Sequence, residues 1–242
     1  DGTKAEQLAA AIYAEIENLN IKIYYSKAKY WNKEPILDFE RDLYENIYLK
    51  LDKMGKFLLH NGNTAGIYPL LTNISHKIEG LDLIMGEDIN PRVEDDFIKY
   101  RFLDFIENYI EGNIGEISSS VKKIIGYGIG LTPSMDDFIC GIMVSKIYIS
   151  YYLEKDLEYG YEFNSAMIKE IKNKTTAISE EILKYSSLAQ TNEYIRKLMI
   201  SFLGKIPMEE FERDLVNSIE IGETSGTDML LGIYTGSCIL LY

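Results

Sequence analysis

The chain has 242 residues, 46% of them hydrophobic, which is enough for one large domain or two small ones. It carries 38 acidic residues against 25 basic ones, a formal charge of −13. A nucleic-acid binder needs a basic surface to displace counterions. The longest basic cluster here is the pair Lys122 and Lys123, so the balance argues against nucleic acid and anionic membrane surfaces but leaves room for a small anion in a local pocket.

Residues 5–19 show helical periodicity, with Leu8, Ile12 and Ile16 four apart. Residues 21–25 read as a short strand, and Pro35 breaks the chain. Phe39, Leu43, Ile47, Leu51, Met54 and Leu58 share one face of a long helix predicted over residues 38–59. A turn rich in Asn and Gly follows at 61–66, then a helix over 68–78 that starts near Pro69. A loop-rich connection occupies 80–91. A strong helix covers 93–110, and a short one over 118–125 runs into Gly126. Helices are then predicted over 135–153, 164–184 (exposed and charged), 192–203, 208–220 and 229–242.

The expected fold is therefore mainly α, a multi-helix globular domain with a short N-terminal strand element. The apolar segments 138–153 and 229–242 are shorter than the roughly 20 residues a membrane span needs. They read as buried core helices. Cys140 and Cys238 lie inside these segments, which suggests a reducing compartment and no disulfide framework. Two cysteines and two histidines, His60 and His76, supply neither a structural zinc site nor a histidine-based triad, so no metal and no cofactor is expected. No signal peptide is readable. The chain begins Asp1-Gly2-Thr3 without methionine, so residues can be missing upstream.

The most informative stretch is Gly126-Tyr127-Gly128-Ile129-Gly130-Leu131-Thr132-Pro133-Ser134-Met135-Asp136-Asp137-Phe138. Alternating glycines end one helix and free the backbone for positive φ. Thr132-Pro133 suits an N-cap followed by proline in the first helical position. Ser134-x-x-Asp137 offers a capping box in a competing register. Either way a helix starts here, with unpaired backbone N–H groups at its end.

Part of this pattern recurs at Ser225-Gly226-Thr227-Asp228. Asp137 is followed by Gly141 and Ser145 at spacing four, and Asp228 by Gly232 and Gly236 at the same spacing. Each helix thus carries a stripe of small residues with an aspartate at its N-terminal end. Such stripes let two backbones approach closely. The expectation is a pair packed through Gly141, Ser145, Gly232 and Gly236. If both start at the same end, Ser134, Asp137, Ser225 and Asp228 surround one pocket. Two helix N-termini would then favour an anion, with Lys122 and Lys123 adding charge. Asp136, Asp137 and Asp228 would repel a bare phosphate, so the arrangement makes better sense if the aspartates cap helices, hold a cation, or accept hydrogens from a ligand with N–H groups, such as a carbamoyl or ureido compound, which has both acceptor and donor sides. Each motif singly has a plain structural reading, as a capping box or a packing stripe.

The run at 126–138 resembles the signature of a bacterial family that includes AllH, a subunit linked to oxamate carbamoyltransferase. Ser225-Gly226-x-Asp228-x-Leu230-Leu231-x-Gly resembles the same family's C-terminal signature. The resemblance implies a single AllH-like domain over 1–242 with its signature region at 126–242, and a cytoplasmic protein of ureide or purine-nitrogen breakdown. The implied reaction moves a carbamoyl group between oxamate and phosphate, in a complex with FdrA-like and AllG-like subunits. Met135 stands where the family usually has a small glycine, Tyr127 and Ile129 are bulky, and the strand-rich N-terminal part expected of the family is mostly absent.

Carbamoyl transfer needs orientation and stabilisation of a tetrahedral intermediate. Asp137 and Asp228 are the expected catalytic pair, holding the carbamoyl nitrogen. Gly126, Gly128, Gly130, Thr132, Ser134, Asp136, Ser225 and Gly226 are the expected substrate and phosphate contacts. A non-catalytic partner, with the glycine stripes acting only in packing, is the rival reading.

Overall fold

A computed structural model describes residues 13–16, 20–24, 31–71 and 96–242. Two compact units are present, 1–33 and 34–242. In the first, β1 (Tyr13–Ile16) and β2 (Ile21–Tyr24) form an antiparallel pair with Tyr13 opposite Tyr24 and Ile16 opposite Ile21. Residues 21–24 are the predicted strand. The helix expected over 5–19 is corrected at 13–16, where the chain is extended and paired; the rest of that segment lies outside the described residues. Local helical spacing there yields to a strand partner five residues on.

The second unit is helical. In chain order its described elements are α1 (Tyr44–Asn61), α2 (Tyr68–Leu71), α3 (Asp96–Ile110), α4 (Ile114–Ile124), α5 (Ser134–Tyr152), α6 (Leu157–Met167), α7 (Ala177–Ser187), α8 (Glu193–Leu203), α9 (Met208–Ile219) and α10 (Ser225–Leu241). The expected mainly α fold is observed. The expected loop at 80–91, His76, the first residues of the 93–110 helix, and the continuation of the 68–78 helix past Leu71 lie outside the described residues. Among the described residues no helix is long and apolar enough to cross a membrane.

Helices α5 and α10 are the two most apolar in sequence and form the centre. Nearly every residue of both is buried, and they pack on each other more extensively than any other described pair. Helices α6, α7 and α8 pack on α5, while α1 and α9 pack on α10. At the far end of α10 the hydroxyls of Tyr44 and Tyr48 both donate to the Leu241 carbonyl, at 2.7 and 2.9 Å.

The single exposed helix predicted over 164–184 is replaced by two, α6 and α7, separated by a non-helical link. Asn164 is wholly buried, its amide donating to the Met143 and Ser187 carbonyls at 2.9 and 3.2 Å. Thr176 caps α7 by accepting from the Ser179 amide. The charges of this stretch had hidden a buried polar anchor and a Thr cap.

The close approach of α5 and α10 is made by the predicted small residues. A methyl group on Gly141 would overlap the Met229 carbonyl, one on Gly232 would overlap the Phe138 carbonyl, and one on Gly236 would overlap the Ser145 hydroxyl. Gly141 therefore meets Gly232 and Ser145 meets Gly236, so the two helices run in the same direction at the contact. In open surroundings a helical Gly→Ala change stabilises by about 1 kcal/mol. Here the overlap reverses the sign: Gly141→Ala and Gly232→Ala should each lower unfolding stability in urea by about 1–3 kcal/mol. Gly115→Ala in α4, where a methyl meets only Asn113 Oδ1 at 3.5 Å, should be neutral or stabilising in the same assay.

Candidate functional site

Because α5 and α10 are parallel, their first turns lie together. The Thr132 and Ser225 hydroxyls are 3.0 Å apart and bridge the two helix starts. Asp137, 6% exposed, sits just inside. Its Oδ2 is buried and has no hydrogen-bond partner. Burial pushes its carboxyl up to about 7; the Ser225 and Thr132 hydroxyls oppose the rise, and the nearby Asp228 and Asp136 carboxylates add to it.

Asp228 is fully buried, and its Oδ1 accepts the Ile67 amide at 2.9 Å. The link into α2 lies directly over it, since a methyl on Gly66 would overlap the Asp228 carboxylate. Asn63 fastens this link by donating its backbone amide to Thr227 Oγ1 and its side-chain amide to the Glu223 carbonyl. The Asn- and Gly-rich turn at 61–66 was legible in the sequence; its role as a cover for Asp228 was not, because the contact spans the length of the chain.

Asp136 has a different environment. Its Oδ1 accepts the Gly126 amide at 2.7 Å, and its Oδ2 accepts the hydroxyls of Ser179, at 2.6 Å, and Thr175. Burial raises its pKa against these three bonds. The carboxylate thus ties the glycine loop and the start of α7 to the first turn of α5. Thr175 and Ser179 were missed in the sequence. The only signal was the Thr175-Thr176-x-x-Ser179 pattern inside a charged stretch.

The glycine loop, 126–133, leaves α4 and enters α5. Gly126, at φ +79°, is needed twice over: its conformation is left-handed, and a side chain would collide with the Lys174 carbonyl. Gly128, at φ +119°, lies against Ser134, where a Cβ would sit 2.5 Å from the backbone nitrogen. Gly130 and the side chains of Ile129 and Leu131 face solvent, and the Leu131 carbonyl accepts the Thr176 hydroxyl.

Several expectations about the helix starts are corrected. Pro133, not Thr132, occupies the cap of α5, Ser134 is the first helical residue, and no side chain caps this end. Thr224 is the cap of α10, again without a side-chain bond. Not every terminal amide is unpaired: Met135 donates to the Tyr127 carbonyl at 3.0 Å and Gly226 to the Ile221 carbonyl at 2.8 Å. Ser134 is buried beneath Gly128. Lys122 and Lys123 do not add free charge, being paired with Glu170 and Asp104.

The remaining candidates fall away from this cluster. His60 is exposed at the end of α1 with Nδ1 2.7 Å from the Lys56 carbonyl. Cys140 and Cys238 are buried and free, and burial pushes both thiols up. No group of three or more His, Cys, Asp or Glu suited to a metal occurs among the described residues. A cavity of about 350 Å³ lies elsewhere, lined by Asp42, Asn46, Lys50, Lys205, Ile206, Pro207 and Met208. There Lys50 is committed to Asp42 and the Gly204 carbonyl, both at 2.8 Å.

Taken together, the chain is of the class of helical proteins built on two parallel, glycine-striped central helices whose starts share a buried carboxylate pair beneath two hydroxyls. Residues 124–237, which contain all of these groups except the 61–71 cover, match the family described as oxamate carbamoyltransferase subunit AllH. No solved structure matches the chain.

Two consequences are measurable. Asp136→Ala should lower stability by about 2–4 kcal/mol in chemical denaturation, by removing three bonds to a buried carboxylate. Asp137 has the opposite sign. Its folded pKa lies above its unfolded value, so the native state holds a proton that the unfolded state releases, and this contribution to stability declines as pH rises from about 4 to 7. Asp137→Asn should therefore exceed the wild type in stability at pH 8 by about 1 kcal/mol or more, with the gap closing toward pH 5.

Proposed function

We propose that this protein serves as a subunit of a carbamoyltransferase acting on oxamate or oxalurate with phosphate and carbamoyl phosphate, and that the cluster at the starts of α5 and α10 binds the carbamoyl group. The observation that carries the reading is the buried, unpartnered Oδ2 of Asp137, set beneath the Thr132–Ser225 hydroxyl pair and next to Asp228 within the span that matches the family. A family described as an oxamate carbamoyltransferase subunit supports a subunit role in that kind of reaction.

The chemistry follows from the raised pKa of Asp137. Burial, reinforced by the neighbouring Asp228 and Asp136 carboxylates, pushes it up to about 7, so it can hold a proton near neutral pH. A protonated carboxyl both donates and accepts hydrogen bonds. That pair of roles matches a carbamoyl group, which offers a carbonyl acceptor and N–H donors. Asp137 and Asp228 would hold this end of the ligand, and the Thr132 and Ser225 hydroxyls would orient its oxygen. The exposed backbone at Gly128 and Gly130 is the part of the loop left to receive phosphate, away from the carboxylates. Gly126, Ser134, Asp136 and Gly226 serve by holding the loop and the helix starts in place. FdrA-like and AllG-like subunits would complete the assembly, in the cytoplasm, in ureide nitrogen breakdown.

The internally satisfied amides of Met135 and Gly226 favour a second reading, a non-catalytic partner in the same complex. The two readings separate in a thermal-shift titration with carbamoyl phosphate, oxamate and phosphate. The proposal expects a rise in melting temperature with carbamoyl phosphate that is lost in Asp137→Ala and Asp228→Ala. No shift with any of the three supports the partner reading, and an unchanged shift in both variants removes the carboxylate pair from the site.

A further inference from the structure

The link between α6 and α7, residues 168–176, closes against the glycine loop. A Cβ on Gly126 would stand 2.6 Å from the Lys174 carbonyl, the Thr175 hydroxyl donates to Asp136, and Glu170 pairs with Lys122 of α4 at 2.6 Å. The link is braced from its own side as well. The Lys174 amide donates to the Ile171 carbonyl at 2.8 Å, and the Asn173 amide to Glu180 Oε2 of α7 at 3.4 Å. Asn173 stands at φ +59°, a left-handed bend that asparagine tolerates better than most residues.

Thr176 ends this link, and its hydroxyl has two partners. It accepts the Ser179 amide at 3.1 Å, which caps α7, and it donates to the Leu131 carbonyl. A hydroxyl has one proton and two lone pairs, so both bonds coexist. The Leu131 carbonyl shares a rigid peptide plane with the Thr132 amide. Fixing that carbonyl therefore fixes where Thr132 begins, and Thr132 carries the hydroxyl 3.0 Å from Ser225. The outer part of the loop has little else to steady it. Gly128 and Gly130 add backbone freedom at positive φ, and the Ile129 and Leu131 side chains are 96% and 67% exposed. Among the described residues, the bond from Thr176 is the one hydrogen bond made by residues 128–131, and the amides of Gly128 to Thr132 have no partner.

We propose that Thr176 is a positioning residue: by fastening the Leu131–Thr132 peptide it sets both the open amides of the glycine loop and the Thr132 hydroxyl for the ligand of the helix-start cluster. Its part in ligand binding rests on the carbamoyl-binding reading of that cluster; the fastening itself does not. A loop held before the ligand arrives spares the cost of ordering it on binding. Asp136 secures the inner end of the loop, at Gly126. Thr176 secures the outer end, nine tenths of a helical link away from the aspartates in kind, since it offers a neutral donor where they offer carboxylates.

Three variants of the full chain separate the fastening from the cap. Thr176→Ser keeps both bonds. Thr176→Asp keeps the cap, since a carboxylate accepts the Ser179 amide, but has no proton for Leu131. Thr176→Val, of the same shape and uncharged, loses both. Amide order parameters from nuclear magnetic relaxation, without ligand, should stay at about 0.85 for Gly128–Thr132 in the wild type and Thr176→Ser and fall below about 0.6 in Thr176→Asp and Thr176→Val. The amides of α5 and α10 should remain rigid in all four proteins. A mobile loop in the wild type, a rigid loop in Thr176→Val or Thr176→Asp, or no rescue by Thr176→Ser overturns the fastening; rigidity in Thr176→Asp assigns the effect to the cap. In calorimetry the Kd for carbamoyl phosphate should rise about tenfold in Thr176→Val and return in Thr176→Ser. A loosened loop with an unchanged Kd overturns the positioning role. No binding of carbamoyl phosphate by the wild type overturns the reading of the cluster and the ligand role with it, and the fastening is then decided by the order parameters.

Discussion

The backbone contact between α5 and α10 is the constraint on which the rest of the second unit depends. Gly141 and Gly232 let the two helices come so close that a single methyl would strike a carbonyl oxygen from either side. Dispersion at that distance acts over whole backbones, and it fixes direction and register together. Once Gly141 meets Gly232 and Ser145 meets Gly236, Thr132 must meet Ser225, and Asp137 must lie near Asp228. The carboxylate pair is thus a product of packing four and eight residues further along the same helices.

The three aspartates of the helix starts separate by what surrounds them. Asp136 accepts three donors and works as a clamp. Asp228 is roofed by the link at 66–67. Asp137 keeps a buried oxygen without a hydrogen bond beneath half-buried hydroxyls, and burial pushes its carboxyl up to about 7. Three residues of one type, close in space, thus have three different surroundings.

Periodicity and small-residue spacing made the central helices, the glycine stripes and the shared end of α5 and α10 legible in the sequence. All of these are local patterns on one helix face. What stayed hidden depends on distant partners. Residues 13–16 are strand because 21–24 lie beside them. Asn164 is buried because the Met143 and Ser187 carbonyls need a donor. Thr175, Ser179, Asn63 and Ile67 become site-building residues only through contacts made across the chain. The cap of α5 was displaced by one residue because Pro133 can stand before the first turn as easily as within it, and the unpaired amides were overcounted because Tyr127 and Ile221 supply carbonyls from the loops.

Parallel alignment also has an electrostatic consequence. Each helix carries a macrodipole, and two that point the same way repel along their length. Three acidic side chains crowd the positive ends. At the negative ends Tyr44 and Tyr48 donate to the Leu241 carbonyl of α10, and the Arg41 guanidinium donates to the Tyr151 carbonyl of α5 at 3.0 Å. The molecule thereby acquires two chemically opposite poles, acidic where the central helices begin and rich in donors where they finish.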